Sequence, residues 1–321
     1  MALLQDARDQ VDRAVGAGEA RGLDMENAFG GVVSAFRRRY VKDLAGFDVA
    51  ITGLPFDGAV THRPGARFGP RAIREASALQ VFDPPWGWDD YSPLEALAVA
   101  DCGDAGFDYA RAADVPDALR DHVRGILAQG AACLAMGGDH SVSLPVLEAH
   151  AEVHGPLSLV QFDAHSDTWP DDDRGRIDHG TMFRKAVAGG VVDPATSVQV
   201  GIRTVNPDTM GIETIPARAV HEAAPGAVAA RIRERVGDRP VYLSFDIDAL
   251  DPAFAPGTGT PVWGGLTSAQ AAAILRDVAG IRLVGGDVVE VAPAYDATGA
   301  TAVAGAHVLM ELLCLWGWTR R

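Results

Sequence analysis

Residues 157–167 are Leu-Ser-Leu-Val-Gln-Phe-Asp-Ala-His-Ser-Asp, an apolar run followed directly by three side chains of metal-ligand type. The apolar part, Leu157 to Phe162, has the length of a buried strand. In an extended chain alternate residues face the same way, so Asp163, His165 and Asp167 are predicted to point to one side. The stretch therefore predicts a buried strand with candidate ligands at its carboxyl end.

Apolar, β-branched segments of this kind recur along the chain, separated by longer stretches rich in Ala and Leu. This alternation predicts an α/β fold with a mostly parallel sheet and helices on both faces. The other predicted strands are Val49–Leu54, Ala132–Met136, Ser197–Ile202, Val241–Phe245 and Leu283–Val291. The predicted helices include Pro116–Gln129, Leu144–His154 and Thr267–Val278, the last with Thr267 or Ser268 as its N-cap.

The composition indicates a soluble protein that acts on a small molecule. Hydrophobic residues make up 48% of the 321 residues and charged residues 22%, and we expect no segment long and apolar enough to cross a bilayer. The N-terminus lacks the apolar core of a secretory signal, so a cytoplasmic location is expected. A net charge of −15 argues against nucleic acid as a partner. It suits either a solvated surface or a cationic substrate.

The chain shows no internal repeat or linker, which predicts one catalytic domain over residues 46–321. Residues 1–45 are predicted to be an N-terminal extension or arm. Its basic triplet, Arg37-Arg38-Arg39, is expected to be solvated, because basic triplets usually are. The three cysteines, Cys102, Cys133 and Cys314, lack the spacing of a disulfide framework or zinc site and are expected in the core.

Two further predicted strands end in polar clusters. Val241–Phe245 leads into Asp246-Ile247-Asp248, and Ala132–Met136 leads into Gly137-Gly138-Asp139-His140-Ser141, where paired glycines permit a tight turn. Ligands in open α/β sheets bind outside the carboxyl ends of strands. Each cluster alone is more often a cap or turn, but together they place two histidines and four carboxylates at one edge.

Such a cluster would be mutually repulsive unless cations neutralise it. Oxygen-rich ligands with some imidazole and no thiolate suit Mn²⁺, with Mg²⁺, Co²⁺, Ni²⁺ or Zn²⁺ less favoured. Six ligands are also too many for one tetrahedral zinc ion. Two ions that share carboxylates fit the ligand count better.

The motifs Gly-Gly-Asp-His-Ser, Phe-Asp-Ala-His-Ser-Asp, Ser-Phe-Asp-Ile-Asp-Ala-Leu-Asp-Pro and Glu-Val-Ala-Pro resemble the signatures of the ureohydrolase (arginase/agmatinase) family, over about Val49 to the C-terminus. The resemblance implies the three-layer α/β/α arginase-like fold and a pair of metal ions, Mn²⁺ first, that activate water for attack on a guanidinium carbon. It implies that His140, Asp163, Asp167 and Asp246 hold one ion. Asp163, His165, Asp246 and Asp248 would hold the other, so that Asp163 and Asp246 bridge and Asp167 also orients the attacking water.

The resemblance implies two further catalytic residues. Glu290 matches the family's guanidinium-binding glutamate, a role that suits a carboxylate because it accepts paired N–H bonds from a planar cation. A strand salt bridge is the alternative, but Glu290 interrupts an otherwise apolar predicted strand. His179 resembles the family's proton-shuttle histidine; without the resemblance it would be taken for a loop residue.

Among guanidino compounds, the segments from His179 to Phe183 and from Glu290 to Asp296 resemble agmatinase more than arginase. Agmatine is therefore ranked first, with Asp171, Asp172 and Asp173 as candidates to receive its ammonium group. Arg174 and Arg176 could instead pair with 4-guanidinobutanoate or 3-guanidinopropanoate, which rank second. Trp169 could close the pocket around guanidine itself, the third choice.

Two other functional classes remain open at this point. A catalytically silent subunit of the same fold should have lost ligands, yet all are present. A deacetylase of related fold uses one zinc ion, against which the six ligands argue. The resemblance also implies a homo-oligomer, often a trimer or hexamer.

Overall fold

The computed structural model describes residues 27, 29–81, 85–89, 91–171, 173 and 175–321, which build one sheet of eight strands. The strands are β1 Val49–Leu54, β2 Val99–Asp104, β3 Ala132–Gly137, β4 Ser158–Phe162, β5 Val198–Ile202, β6 Glu213–Pro216, β7 Val241–Asp246 and β8 Leu283–Val289. Their order across the sheet is β2-β1-β3-β8-β7-β4-β5-β6, and every neighbouring pair is parallel. The predicted parallel sheet is confirmed.

Helices cover both faces of this sheet. Those described are α1 Gly69–Ser77, α2 Pro93–Ala96, α3 Val115–Leu127, α4 Ser143–His154, α5 Met182–Ala188, α6 Ala217–Glu222, α7 Pro225–Val236, α8 Ser268–Asp277 and α9 Ala300–Trp318. Helices α3, α4 and α5 contribute to one hydrophobic cluster, and α1, α2, α6, α7, α8 and α9 contribute to the other. The molecule is therefore a three-layer α/β/α fold, as the resemblance implied.

The strands supply side chains to both clusters in alternation. On β4, Val160 and Phe162 belong to the cluster that contains α7–α9, whereas Leu159 belongs to the one that contains α3–α5. All five residues of β4 are buried, which explains why its sequence does not alternate between apolar and polar residues as an amphipathic strand would. Both faces of the sheet are thus covered by apolar clusters.

Helix α8 illustrates how local sequence defines an element. Thr267 accepts the backbone N–H of Gln270, and the Gln270 side chain accepts the backbone N–H of Thr267, so the two residues form a capping box. Of the two predicted N-caps, Thr267 is the one used. The expectation that Cys102, Cys133 and Cys314 are core residues is also confirmed, because all three are buried and free.

The basic triplet before β1 is not solvated as expected. Arg37 and Arg38 are buried, and the Arg38 side chain donates to the carbonyl of Leu94. The reason is the neighbouring Phe36, which is fully buried in a hydrophobic cluster. Burial of Phe36 holds the adjacent residues Arg37 and Arg38 against the rest of the protein. Ala35 N–H donates to the Asp101 carboxylate of β2 at 2.7 Å. The rest of the predicted extension, residues 1–26 and 28, lies outside the described residues, and the boundary at residue 45 stays a prediction.

One helix contradicts the expectation that no segment is long and apolar enough to cross a bilayer. By length and composition α9 meets that criterion, with a mean hydropathy of 1.4. Its apolar residues are spaced by Gly, His and Glu, so no uninterrupted run is visible in the sequence. Of its most apolar stretch, 78% is buried by the rest of the protein, which is typical of a core helix.

Candidate metal centre and active site

The predicted ligands meet at the carboxyl-terminal ends of the central strands. β3, β8, β7 and β4 are consecutive neighbours, and all four run in the same direction. The segments that follow their carboxyl ends therefore lie side by side. His140, Glu290 and Asp163 come from the segments after β3, β8 and β4, and Asp246 is the last residue of β7, although up to 150 residues separate these side chains in the chain.

A first group of ligand atoms surrounds the ring of His140. Its Nδ1 atom lies 3.1 Å from Asp163 Oδ2, 3.0 Å from Asp167 Oδ2 and 3.1 Å from Asp246 Oδ2. This nitrogen is buried and makes no hydrogen bond that satisfies it among the described residues. A buried ring nitrogen facing three carboxylate oxygens is a suitable cage for a cation.

A second group lies around His165. Its Nδ1 atom is 3.1 Å from Asp248 Oδ2 and 3.4 Å from Asp163 Oδ1. Asp163 thus turns one carboxylate oxygen to each histidine, which suits a bridging ligand. Atoms of His140, Asp163 and Asp246 lie close enough to hold one ion, and so do those of Asp163, His165 and Asp248.

Asp246 differs from the expected bridging geometry. Its Oδ2 atom faces His140, but Oδ1 accepts the backbone N–H of Asp248 at 2.8 Å and caps the short 3-10 turn of residues 247–249. Among the described residues it belongs to the first group only. A bridging role for Asp246 stays a prediction.

The local backbone that brings the ligands together is not the expected extended chain. β4 ends at Phe162, and Asp167 has a left-handed backbone with φ of 52°. Glu290 likewise has φ of 62° and follows the last residue of β8, so it does not interrupt a strand. Such conformations are costly for residues with a Cβ atom and are characteristic of functional sites.

The electrostatics of the cluster also call for cations. Burial and neighbouring carboxylates raise the pKa of Asp167 to about 6 and raise those of Asp246 and Asp248. Burial lowers the pKa of His165, but Asp248 and Asp163 outweigh it and raise that pKa to about 12. The four carboxylates therefore cannot all be ionised unless protons or other cations enter the cluster. A set of oxygens and imidazoles without thiolate fits divalent cations such as Mn²⁺.

Glu290 and His179 form a second unit beside the metal ligands. The Oε1 atom of Glu290 accepts the backbone N–H of His140 at 3.0 Å and lies 2.8 Å from His179 Nδ1. The Oε2 atom is buried and has no hydrogen-bond partner among the described residues. One carboxylate oxygen is therefore fixed by the protein, and the other remains for a ligand.

The other ring nitrogen of His179 contacts Thr61. Thr61 N–H donates to His179 Nε2 at 3.2 Å, and the Thr61 hydroxyl lies 3.0 Å from the same atom. Burial lowers the pKa of His179, but the hydrogen bond and charge of Glu290 raise it overall to about 9. His179 is consequently suited to hold and release a proton near the cluster.

A cavity of about 300 Å³ connects these groups to the surface. His165, Asp167 and Asp246 of the ligand cage line it, and so do Trp169, Arg176 and Asp178. Arg176 and Asp178 pair at 2.7 Å. The described residues that line it are Thr61, His165, Asp167, Trp169, Pro170, Arg176, Asp178, His179, Gly180, Thr181, Asp246 and Thr260.

The acidic loop does not present its carboxylates as expected. Asp171 lies 2.8 Å from Lys185 Nζ and also accepts from Thr181, so it is already paired, and neither it nor Asp173 lines the cavity. Asp172 and Arg174 lie outside the described residues. The described acidic residue of this loop that does line the cavity is Asp178, which the sequence did not single out.

Several supporting residues were also missed. Asp139 accepts the backbone N–H groups of Ser141 and Ala59, and so joins the His140 turn to the loop that carries Thr61. Arg203 donates to the carbonyls of Asp248 at 2.6 Å and Val262 at 2.8 Å. Only Asp139 had a signal in the sequence, because it lies inside a motif.

A parallel three-layer fold with a buried His/Asp cage and a carboxylate-bound histidine defines a class of metal-dependent hydrolases. Comparison with known proteins identifies the family within this class. Residues 47–314 match the profile of the Arginase family. The chain belongs to the Arginase family, as the sequence motifs indicated.

Individual relatives are similar over most of their length. An agmatinase from Chromobacterium violaceum is 53% identical over 297 residues, which is 92% of this chain and 91% of that protein. The crystal structure of a hypothetical agmatinase from Burkholderia thailandensis shares 52% identity, with a TM-score of 0.92 over 95% of this chain and 97% of that one. Proclavaminate amidino hydrolase from Streptomyces clavuligerus shares 40% identity, with a TM-score of 0.85 over 92% and 100% of the two chains.

Proposed function

We propose that this protein hydrolyses agmatine to putrescine and urea. Its family makes it a hydrolase of guanidino C–N bonds, and the 53% identical relative is an agmatinase. The observation that carries the proposal is the cavity, whose wall includes three residues of the histidine–aspartate cage, the Glu290 partner His179 and the Asp178 carboxylate. A substrate with two cationic ends matches these acidic groups.

Two divalent cations, Mn²⁺ first and Ni²⁺ or Co²⁺ as alternatives, fit the ligand cage. We assign His140, Asp163, Asp167 and Asp246 to one ion, and Asp163, His165, Asp246 and Asp248 to the other. Bound cations of this kind lower the pKa of water and supply a nucleophile at neutral pH. The protein contributes fixed ligand positions, since backbone N–H groups already hold Asp163, Asp246 and Asp248.

Glu290 is proposed to bind the guanidinium group. Its Oε2 atom is buried and has no partner in the part of the chain that the structure describes, and a planar guanidinium N–H can supply that partner. Gly259 lies next to this oxygen, because a Cβ atom there would come within 3.1 Å of Oε2. A side chain at residue 259 would therefore compete with the substrate for the same space.

His179 is proposed to deliver a proton to the leaving amine. Its pKa of about 9 keeps the ring protonated at neutral pH, and Glu290 holds Nδ1–H. Nε2 is then the atom that takes up and releases the second proton: unprotonated it accepts the Thr61 N–H, and protonated it can donate to the Thr61 hydroxyl, 3.0 Å away. Urea and an amine leave only if the amine nitrogen gains a proton, so this position completes the reaction.

Asp178 is proposed to receive the distal ammonium group. Its Oδ1 atom accepts the N–H of Gly180 at 2.8 Å, which fixes the carboxylate, while Oδ2 binds Arg176. The Arg176 side chain is 59% exposed and can move away, whereas the Asp178 side chain is only 15% exposed. An incoming ammonium group would replace the Arg176 guanidinium against a fixed carboxylate.

Arg176 also supports the second candidate, a guanidino acid. A swing of its exposed side chain would bring a guanidinium to the substrate's carboxylate tail. The Asp178 carboxylate, which is more buried and less mobile than the Arg176 side chain, would then repel the substrate's carboxylate. This contrast favours agmatine over 4-guanidinobutanoate and 3-guanidinopropanoate.

A urea-release screen tests the proposal. The protein is loaded with Mn²⁺ or Ni²⁺ and assayed with agmatine, 4-guanidinobutanoate, 3-guanidinopropanoate, arginine and guanidine at equal concentration. Agmatine should give the highest kcat/KM. Faster turnover of a guanidino acid or of guanidine would reject agmatine as the substrate, and no urea from any compound would favour a non-catalytic subunit.

A cytoplasmic homo-oligomer, trimer or hexamer, is proposed as the working state. The family resemblance supports the oligomer. The acidic net charge of −15 suits a soluble protein and so supports the cytoplasmic location. Light scattering of the purified protein gives the subunit number directly, and a monomer would contradict the proposal.

A further inference from the structure

Asp287 is a buried carboxylate that the proposed reaction does not use. It lies on β8, is fully buried, and accepts hydrogen bonds from three hydroxyl groups. Ser143 and Tyr242 donate to Oδ2 at 2.7 and 2.8 Å, and Ser244 donates to Oδ1 at 2.7 Å. None of these four residues is among the six metal ligands that the sequence predicts.

Ser244 connects this carboxylate to a proposed metal ligand. Its Oγ atom lies 2.8 Å from Nε2 of His140. A hydroxyl has one proton, and Ser244 gives it to Asp287, so its oxygen can only accept from His140. His140 must then carry a proton on Nε2.

The consequence concerns the opposite ring nitrogen. With Nε2 acting as the donor, the lone pair of His140 Nδ1 is available, and Nδ1 is the atom that faces Asp163, Asp167 and Asp246. The hydrogen bond to Ser244 also fixes the rotation of the ring. Both effects prepare Nδ1 to bind a cation.

We propose that Asp287, acting through Ser244, is a positioning residue that orients His140 as a metal ligand. The inference rests on the metal centre of the proposed function. Asp287 touches neither substrate nor metal; it sets the direction of the Ser244 hydroxyl, and the hydroxyl sets the direction of His140.

The chain provides matched controls. Ser143→Ala and Tyr242→Phe each remove one buried hydroxyl from Asp287, as Ser244→Ala does, but neither hydroxyl contacts His140. All three variants lose one buried hydrogen bond to Asp287, and Ser244→Ala also loses the one from His140, so it should lose more thermal stability than either control. Only Ser244→Ala interrupts the connection to His140.

The experiment is a calorimetric titration of the metal-free full-length proteins with Mn²⁺, together with a thermal melt of each variant. For Ser244→Ala, we expect the affinity of one of the two bound ions to fall by about tenfold to a hundredfold. The control variants should stay within about threefold of the wild type, because the Ser244–His140 hydrogen bond survives in them. Equal metal affinities in Ser244→Ala and Ser143→Ala would overturn the proposal.

A measurement on the wild type keeps the test independent of variant folding. In protein loaded with diamagnetic Zn²⁺ and labelled with ¹⁵N, the His140 ring should show a proton on Nε2 that exchanges slowly with solvent. A proton on Nδ1, or rapid exchange at Nε2, would overturn the proposal. Because neither readout uses substrate, a wild type that binds metal but not agmatine would reject the proposed substrate and leave this inference standing.

Discussion

The two carboxylate oxygens of Asp246 have different roles, and one substitution removes both. Oδ2 faces His140, and Oδ1 caps the turn that carries Asp248. We predict that Asp246→Ala abolishes urea release and removes most bound metal, as measured by elemental analysis beside a urea assay. Asp193→Ala is the control, because Asp193 also caps a 3-10 turn but lies away from the site. Retained turnover with full metal loading in Asp246→Ala would contradict the ligand assignment.

The ligand pKa values predict how metal affinity depends on pH. Since the pKa of Asp167 is raised to about 6 and that of His165 to about 12, protons occupy ligand atoms that a metal needs. Metal binding must release these protons, so the apparent affinity should rise with pH. Titration of Mn²⁺ at several values from about pH 5 to about pH 8 should show a continuous increase. An affinity independent of pH would show that the cluster is not protonated in the metal-free state.

Asp178 is the residue that should distinguish the substrate tails. Asp178→Asn removes the charge but keeps an oxygen for the N–H of Gly180. We predict that KM for agmatine rises about tenfold with little change in kcat, because a charged hydrogen bond to the substrate tail, rather than to the guanidinium group, is lost. Turnover of 4-guanidinobutanoate should improve in the same variant, since a repulsive charge disappears.

Asp173→Asn is the matched control for this change. Asp173 belongs to the same loop and also accepts a backbone N–H two residues on, from Gly175 at 2.9 Å, but it does not line the cavity. Its KM for agmatine should be unchanged. Equal effects of the two variants would mean that Asp178 does not bind the tail.

Some site residues could be predicted from sequence and others could not, for a physical reason. The ligands lie in short polar segments directly after apolar strands, so local pattern identifies them. Thr61, Ser244 and Asp287 are single polar residues in a loop or inside strands, and only packing brings them to the site. Asp178 was obscured by the three aspartates at 171–173, which looked like the stronger anion cluster.

At the level of elements, the two strands that the sequence did not predict are β2 and β6, which form the two edges of the sheet. β2 contains Asp101, Gly103 and Asp104, and β6 has only four residues, including Glu213 and Pro216. Edge strands need no continuous apolar run, because they are less enclosed than central strands. The central strands were predicted to within about two residues, since full burial on both faces demands such a run.

The turn after β3 gives a prediction at this scale. Gly138 lies so close to the preceding loop that a Cβ atom would be 1.7 Å from the carbonyl oxygen of Phe56. Gly138→Ala should therefore push the turn away, lower the free energy of unfolding by about 3 kcal/mol or more, and weaken metal binding through His140. Chemical denaturation and a metal titration measure the two effects.

Gly125→Ala is its control. Gly125 lies in helix α3, and a Cβ atom there meets nothing within 4 Å. That variant should gain up to about 1 kcal/mol, because alanine is the better helix former, and should bind metal normally. A wild-type stability for Gly138→Ala would show that the turn can adapt and that its glycine is not required.

On the scale of the whole molecule, the parallel sheet explains why the site is where it is. Four neighbouring strands deliver their carboxyl ends to one edge, and helices on both faces keep water from the rest of the sheet. The proposed metal ligands collect at these carboxyl ends, where bound cations would compensate their charge. The acidic excess of the chain as a whole also favours the approach of a cationic substrate.

The central claim is that this edge binds a pair of metal ions that the reaction requires. The most direct test is elemental analysis of the purified protein at increasing Mn²⁺, with urea release from agmatine measured on the same samples. Activity should rise with occupancy and reach its maximum at two ions per subunit. Full activity with one ion or none, and no gain on adding more, would contradict the account.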